Sequence, residues 1–313
     1  MARELRQFPG LRRYFLDGQG EILVVELCRG EKRNAMGLSF WRNYPKCFPR
    51  PVSVTLIDDQ GAEAVEAVEA ALMQGVRVVV VCAEGPSFTA GLDVTDAAMM
   101  SAIGGGGGGE QQQDAARVAF RARQHVLGMQ AALSAAEACP VPVIAAVHGA
   151  CIGAGVDLIT AADVRLCAGD AYFSIREVRL ALAADVGTLQ RLPKVARNES
   201  LVRELAFTGD DFGAADAVAR LGLCSRVVEG SRAQVQAAAF ALARHIAAQS
   251  PVAMAATKAN LLYSRDHSVA DGLDYVATWN GAALQSRDVR TAAAAAAAAA
   301  AKRKKAPPLF SKL

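Results

Sequence analysis

The 313-residue chain is 52 % apolar, 21 % charged and 6 % aromatic. That is enough aliphatic sequence for one large domain or roughly two of about 150 residues, and too much for a wholly disordered chain. The net charge of +3 divides unevenly, because five basic and no acidic residues lie from Thr291 onward, which leaves −2 on the body and argues against a nucleic-acid-binding fold. Seven cysteines stand singly with no C-x-x-C pair, and the four histidines show no ligand spacing, so the reading is of buried thiols in a reducing compartment with no zinc site. The first residues lack the apolar segment of a secretory signal, and apart from the terminal alanine run no stretch approaches the ~20 apolar residues of a membrane span.

In chain order, Ile22–Leu27 (ILVVEL) and Val76–Cys82 (VRVVVVC) read as strands rich in β-branched residues. Between them, Tyr44–Val52 carries Pro45, Pro49 and Pro51 and is expected to be a loop, and Asp59–Gln74 suits an amphipathic helix. Gly104–Gly109 with the following glutamines is low-complexity, and it lacks the Gly-Lys-Ser/Thr ending of a phosphate loop. Asp114 is placed to cap a long helix running towards Ala138, which Cys139-Pro140 ends, and Val141–Val147 (VPVIAAV) reads as a buried strand. Glycines and a helix follow in Gly149–Ala162, then short strands at Val164–Leu166 and Ala171–Ile175. Ser250-Pro251 opens a helical region in the N-cap/N1 arrangement, with a break around Ser264–Asp266. The expected organisation is an N-terminal extension (1–13), a core (14–248), a helical region (249–290) and a biased basic tail (291–313) that need not pack on anything. The class is α/β.

Two segments share one chemical logic. In S-F-T-A-G-L-D (Ser87–Asp93) and H-G-A-C-I-G-A-G-V-D (His148–Asp157) a strand runs into small residues and then a helix. Glycines allow close approach to the backbone, and free N–H groups at a helix start favour developing negative charge. Two such donors meeting on one oxygen make an oxyanion hole; two ordinary tight turns are the plainer alternative.

These segments, together with E-K-R-N-A-M (Glu31–Met36), resemble the crotonase superfamily of enoyl-CoA hydratases and isomerases. Ile175–Lys194, Glu204–Gly209 and Thr257–Val269 resemble the dienoyl-CoA isomerase branch of that superfamily, and the resemblance runs from about Tyr14 to Gln285. It implies a crotonase-like spiral of ββα units, C-terminal helices for trimerisation, a homotrimer or hexamer, and an acyl-CoA thioester as substrate with no cofactor beyond it. Carried over by position, the oxyanion-hole N–H groups belong to Leu92 and Ala154, where the family usually has glycine at the second position. Ala90, Gly91 and Gly153 line the substrate, and Arg33 and Lys258 are candidates for contact with CoA. His148 and His267 are expected to be structural.

Asp157, Glu177 and Asp185 fall on the family's acidic positions. A thioester held in an oxyanion hole has acidic C2 protons, and moving 3,5-unsaturation to 2,4 requires a proton off C2 and one onto C6. Two carboxyl groups in different protonation states suit that task, and Glu177 and Asp185 are the expected pair. Spacing alone does not bring them together: eight residues span about 26 Å as strand or about 12 Å as helix, so the chain must turn between them. A hydratase would use acids at the positions of Asp157 and Glu177 to hold water, and the extra acid at 185 favours isomerisation of 3,5-dienoyl-CoA in β-oxidation. The alternatives are an enoyl-CoA hydratase, a 3,2-enoyl-CoA isomerase, or a non-catalytic acyl-CoA- or RNA-binding member. The stretch between Trp41 and Val76 is longer than the family pattern by roughly twenty residues. Ser311-Lys312-Leu313 has the form of a peroxisomal import signal, so the expected compartment is the peroxisome or a derived organelle such as a glycosome, with the import receptor as partner.

Overall fold

In the computed structural model the described residues are 3–5, 7–16, 19–49, 75–104 and 114–300. The segment Asp59–Gln74, most of the low-complexity stretch and the Ser311-Lys312-Leu313 terminus lie outside them. Among the described residues, a seven-stranded sheet has the order β1 (Arg3–Glu4), β2 (Leu11–Phe15), β3 (Ile22–Leu27), β4 (Val78–Ala83), β5 (Val143–Val147), β7 (Val164–Ala168) and β10 (Arg226–Val228). β1, β2 and β3 pair antiparallel, and the run from β3 to β10 is parallel. A smaller sheet holds β6 (Ala150–Ile152), β8 (Tyr172–Ser174) and β9 (Asp211–Gly213).

The chain alternates between these two layers: β5 to β6, back to β7, then out to β8. Two earlier passes make the same excursion, through the parallel bridges Met36–Leu92 and Thr89–Cys151. Each turn of the spiral therefore lays one short extended segment beside the last, and the segments carrying the two glycine motifs become neighbours.

β3, β4 and β5 are buried on both faces, which explains their unbroken apolar runs. Leu23, Val25, Val79, Val81, Val143 and Ala145 face the inner core, where Leu133, Phe88 and Phe173 pack. Ile22, Val24, Val78, Val80, Ile144 and Ala146 face the Arg232–Ala247 helix, which offers Val235, Ala239, Ala243 and Ala247 as a stripe of small residues. Asp114 caps the Ala115–Ala138 helix through the Ala116 N–H, and Ser250 caps Pro251–Ser264 through Ala253.

One conformational expectation differs from the structure. Tyr44–Cys47, read as proline-rich loop, forms a single 3-10 turn with Pro45 near its start, where the missing N–H costs nothing. The alanine run, read as a tail that need not pack, is helical as far as Ala300, a conformation that reading did not assign, and its side chains are mostly exposed over 291–297; it continues a helix that begins at Arg287. That helix is anchored: Asp288 is buried and accepts a 2.6 Å hydrogen bond from the Ser250 hydroxyl. Among the described residues no helix is long and apolar enough to cross a membrane.

Lys258, a candidate for CoA contact, is instead a buried structural post. Its ammonium donates to the carbonyls of Ala136 (3.2 Å) and Val141 (3.0 Å) and pairs with Asp163 Oδ2 at 2.7 Å, so its three protons are committed. It fastens the C-terminal helices to the end of the Ala115–Ala138 helix and the entry to β5. Lys258→Ala should cost about 3 kcal/mol, because Asp163 and two carbonyls lose their donor, and should leave KM for acyl-CoA unchanged. Thermal unfolding and steady-state kinetics check both halves.

Candidate active site

The site begins with a backbone that has been pinned. Asn34 is buried in a left-handed conformation, one that asparagine tolerates better than most residues. Its amide donates to the carbonyls of Glu84 (2.8 Å) and Ser87 (2.9 Å), and its Oδ1 accepts from the Arg29 N–H at 2.8 Å. The Thr89 hydroxyl donates to the Asn34 carbonyl at 2.8 Å and accepts from the Gly91 N–H at 3.0 Å. Met36 then pairs across Leu92, receiving the Asp93 N–H and donating to the Gly91 carbonyl at 2.7 Å. The Leu92 N–H is left pointing away from this pairing.

The second turn approaches from β6. Gly153 has φ +54°, and its N–H donates to the Ser174 carbonyl at 2.9 Å. Ala154 opens the Ala154–Thr160 helix, so its N–H belongs to the first turn and has no partner within the helix. Among the described residues neither the Leu92 nor the Ala154 N–H donates to a protein acceptor. The two turns touch: a Cβ on Gly91, itself at φ +84°, would stand 2.6 Å from the Ile152 carbonyl oxygen and 3.4 Å from the Ala154 nitrogen. A Cβ on Gly155 would meet the Thr89 methyl at 2.5 Å. The methyl of Ala154, where the family usually has glycine, is accommodated and buried.

Three carboxyl groups converge beside this pair of donors. Asp157, in the first turn of the same helix, is fully buried; one oxygen accepts from the Thr188 N–H and the other has no partner. Burial pushes its pKa to about 6 even though the Thr188 N–H stabilises the charged form, and the charge of Asp185 adds to the rise. Glu177 faces Gly153, where a Cβ would lie 3.1 Å from its Oε1, and its Oε2 is buried without a partner. Burial, followed by the charges of Asp157 and Asp185, lifts Glu177 to about 7. Asp185 sits at the exposed rim. Its pKa is raised, mainly by desolvation, while the charge of His125 acts the other way.

The required turn between Glu177 and Asp185 is present. Glu177–Leu180 forms a 3-10 turn, Ala181 enters the left-handed region at φ +59°, and the Leu182 N–H returns to the Glu177 carbonyl at 3.1 Å. The Gln130 amide then holds the Asp185 carbonyl at 2.7 Å. Val178, Leu180 and Leu182 stand exposed between the acids, an apolar strip beside polar machinery.

Other candidates separate by location. Arg33 is exposed and its carbonyl accepts the Ala90 N–H at 2.9 Å, so Arg33, Ala90 and Gly91 lie along one edge of the site. His148 is buried with Nε2 3.0 Å from the Gly85 carbonyl, a structural link as expected. His267 lies between the two C-terminal helices, its ring stacked on Tyr263 at 3.7 Å. Lys258 is remote from the acids' contacts and is spent on the post described above. Sequence reasoning missed Asn34, whose signal is an asparagine before a small residue in a turn. Among the described residues no group of side chains has the makings of a metal site.

Residues 47–297 match the enoyl-CoA hydratase/isomerase family. The chain is 45 % identical over 273 residues to the mitochondrial Delta(3,5)-Delta(2,4)-dienoyl-CoA isomerase of Mus musculus, covering 87 % of this chain and 75 % of that protein. It is 40 % identical over 259 residues to the peroxisomal enzyme of the same name from Arabidopsis thaliana, covering 83 % and 84 %. An enoyl-CoA hydratase structure from Bacillus anthracis superposes with a TM-score of 0.73 at 22 % identity, over 96 % of this chain and 98 % of that one, which is a likeness of fold. A Thermobifida fusca protein solved in complex with acetoacetyl-CoA superposes with a TM-score of 0.68 at 27 % identity, over 88 % and 95 %. On this agreement of sequence, fold and site, the chain belongs to the enoyl-CoA hydratase/isomerase family.

Proposed function

We propose that the protein is an isomerase that converts 3,5-dienoyl-CoA esters to 2,4-dienoyl-CoA esters in fatty-acid β-oxidation. The observation that carries this reading is the grouping of three acids with raised pKa values, Asp157, Glu177 and Asp185, beside two free N–H donors. The dienoyl-CoA isomerases of mouse and Arabidopsis support it through their overall identity to this chain.

In this mechanism the thioester oxygen lies between the Leu92 and Ala154 N–H groups, which stabilise the charge that develops when C2 loses a proton. Glu177, against the turn that carries the Ala154 N–H, is nearest to C2 and takes that proton as its carboxylate. The electron pair delocalises along the conjugated chain, and Asp185, at the rim, gives its proton to C6. The C2–H and Asp185 O–H bonds break, the Glu177 O–H and C6–H bonds form, and no electrons leave the substrate, so the chemistry calls for no oxidant or further cofactor. The charge of Asp157 raises the proton affinity of the Glu177 carboxylate, which makes it a stronger base towards C2. The exposed strip of Val178, Leu180 and Leu182 suits an acyl chain, and Lys32 and Arg33 are exposed cations suited to the phosphates of CoA.

A hydratase would hold water between Asp157 and Glu177 and would have no use for Asp185. A binding module would gain nothing from buried carboxyl groups that cost stability. Exposed Leu261, Val269, Leu273 and Leu284 on the C-terminal helices support assembly into a trimer or hexamer. Ser311-Lys312-Leu313 supports import into a peroxisome or glycosome, in line with the peroxisomal Arabidopsis relative, although the mouse relative is mitochondrial.

Purified protein given a 3,5-dienoyl-CoA should generate the ultraviolet band of a conjugated 2,4-dienoyl thioester. Glu177→Gln and Asp185→Asn should each lower kcat by at least about 100-fold, as expected for loss of a general base or acid. Loss of the 2-enoyl-CoA band with no dienoyl product would instead identify a hydratase.

Stability should move against activity in the Glu177 variant. Folded Glu177 binds its proton up to about pH 7, whereas an unfolded glutamate releases it near 4.3, so the carboxylate destabilises the fold increasingly as pH rises through that window. Glu177→Gln should therefore unfold at a higher temperature than the wild type at pH 8, by the equivalent of up to about 3 kcal/mol, with the gain fading near pH 4. Calorimetry at the two pH values checks this. For the compartment, a fluorescent protein carrying residues 291–313 should enter peroxisomes or glycosomes, and deletion of Ser311-Lys312-Leu313 should leave it in the cytosol.

A further inference from the structure

We infer that Arg191 is a positioning residue for Asp185, its guanidinium clamping the segment that carries this acid against the Ala115–Ala138 helix. The inference rests on the isomerisation proposed above, in which Asp185 is the acid that serves C6, and it assigns that acid its support.

Asp185 stands exposed at the rim between two buried neighbours, Ala184 and Val186, so its carboxyl is aimed by the backbone from 184 to 188. Two bonds fix the ends of that stretch. The Gln130 amide holds the Asp185 carbonyl at 2.7 Å, and the Thr188 N–H donates to the buried Asp157 carboxylate. The middle is Gly187, at φ +139°, where the chain turns into the Thr188–Val195 helix. Arg191 holds this middle. Its backbone N–H donates to the Gly187 carbonyl at 2.8 Å, and its side chain folds back along the same residue, so closely that a Cβ on Gly187 would stand 2.0 Å from Nη1. The Val186 carbonyl lies 3.5 Å from that nitrogen. Glycine is thus required at 187 by its dihedral angle and again by the guanidinium that fills the place of a side chain.

The other side of the guanidinium is anchored. Nη2 donates to the Ser134 hydroxyl at 2.8 Å and to Glu137 Oε2 at 3.0 Å, and Nε donates to the same Oε2 at 3.2 Å. The Ser134 hydroxyl in turn donates to the Gln130 carbonyl at 2.6 Å. Gln130, Ser134 and Glu137 follow at intervals of four and three, so they form one half-buried polar stripe beside the buried Met129, Leu133 and Ala136. All three members of that stripe bond the 185–191 segment, and Glu137 also accepts from Arg265 at the end of the Pro251–Ser264 helix.

The Arg191 and Glu137 side chains are only 11 % and 18 % exposed, and two N–H donors meet one carboxylate there, which restricts the pair far more than a solvated ion pair is restricted. The reaction gives this restriction a use. An acid must come within hydrogen-bond reach of C6, and a small shift of the rim backbone carries the carboxyl out of that reach. The geometry calls for a fork and not for charge alone: a lysine at 191 could pair with Glu137 but could not at the same time bond Ser134 and lie along Gly187.

A double-mutant cycle, read by the ultraviolet band of the 2,4-dienoyl product, separates positioning from packing. Arg191→Lys and Arg191→Gln should each lower kcat by about ten-fold, with KM within about two-fold of wild type. In the Asp185→Asn background, where the acid to be positioned is gone, the same substitutions should change the residual kcat by less than about two-fold. A larger loss in that background would overturn the inference, because a disturbed fold or a displaced Glu177 slows the residual reaction as well. Unchanged kcat in both backgrounds would also overturn it. If the glutamine variant does not fold, the lysine variant decides alone. Wild-type protein that makes no 2,4-dienoyl product would overturn the isomerase reading itself, a distinct outcome.

Discussion

The site depends on a contact with no room for a side chain. Gly91 meets the Ile152 carbonyl and the Ala154 nitrogen so closely that a Cβ would stand 2.6 Å from an oxygen. Only because the two turns press together do the Leu92 and Ala154 N–H groups come to lie side by side. Around that contact the structure spends its hydrogen bonds on backbone: Asn34 and Thr89 hold one turn, and Ser174 holds the other. The donors are rigid before any ligand arrives, which is the condition under which such dipoles stabilise charge most effectively.

Against this rigid floor stands an electrostatic conflict. Asp157 and Glu177 repel one another in a poorly solvated place with Asp185 at its exposed rim, and each of the three binds its proton more tightly than a free carboxyl does. Asp157 and Glu177 each keep one buried oxygen without a partner. Buried polar atoms of this kind are rare, and where they occur together they mark a place where the fold gives up stability for chemistry.

Much of this was legible in the sequence, for identifiable reasons. Strands such as ILVVEL and VIAAV are apolar throughout because the sheet is covered on both sides, and Asp114 and Ser250 announce their helices by capping. The acids were legible through resemblance, and their convergence was not, because it hangs on a 3-10 turn, on the left-handed Ala181 and on a hydrogen bond from the distant Gln130. Lys258 misled for the opposite reason: a lysine on a helix looks solvated until the surrounding carbonyls and Asp163 are seen.

The Lys258 post bears on how the molecule comes into being. The turns that form the site are made early in synthesis, residue 34 to residue 188, but the post that braces the end of the Ala115–Ala138 helix against β5 arrives only with the Pro251–Ser264 helix. A growing chain therefore holds all three acids before it holds this post. Until Lys258 emerges, the carbonyls of Ala136 and Val141 lack their cation. The C-terminal helices thus complete the brace between the Ala115–Ala138 helix and β5 only when the chain is nearly complete.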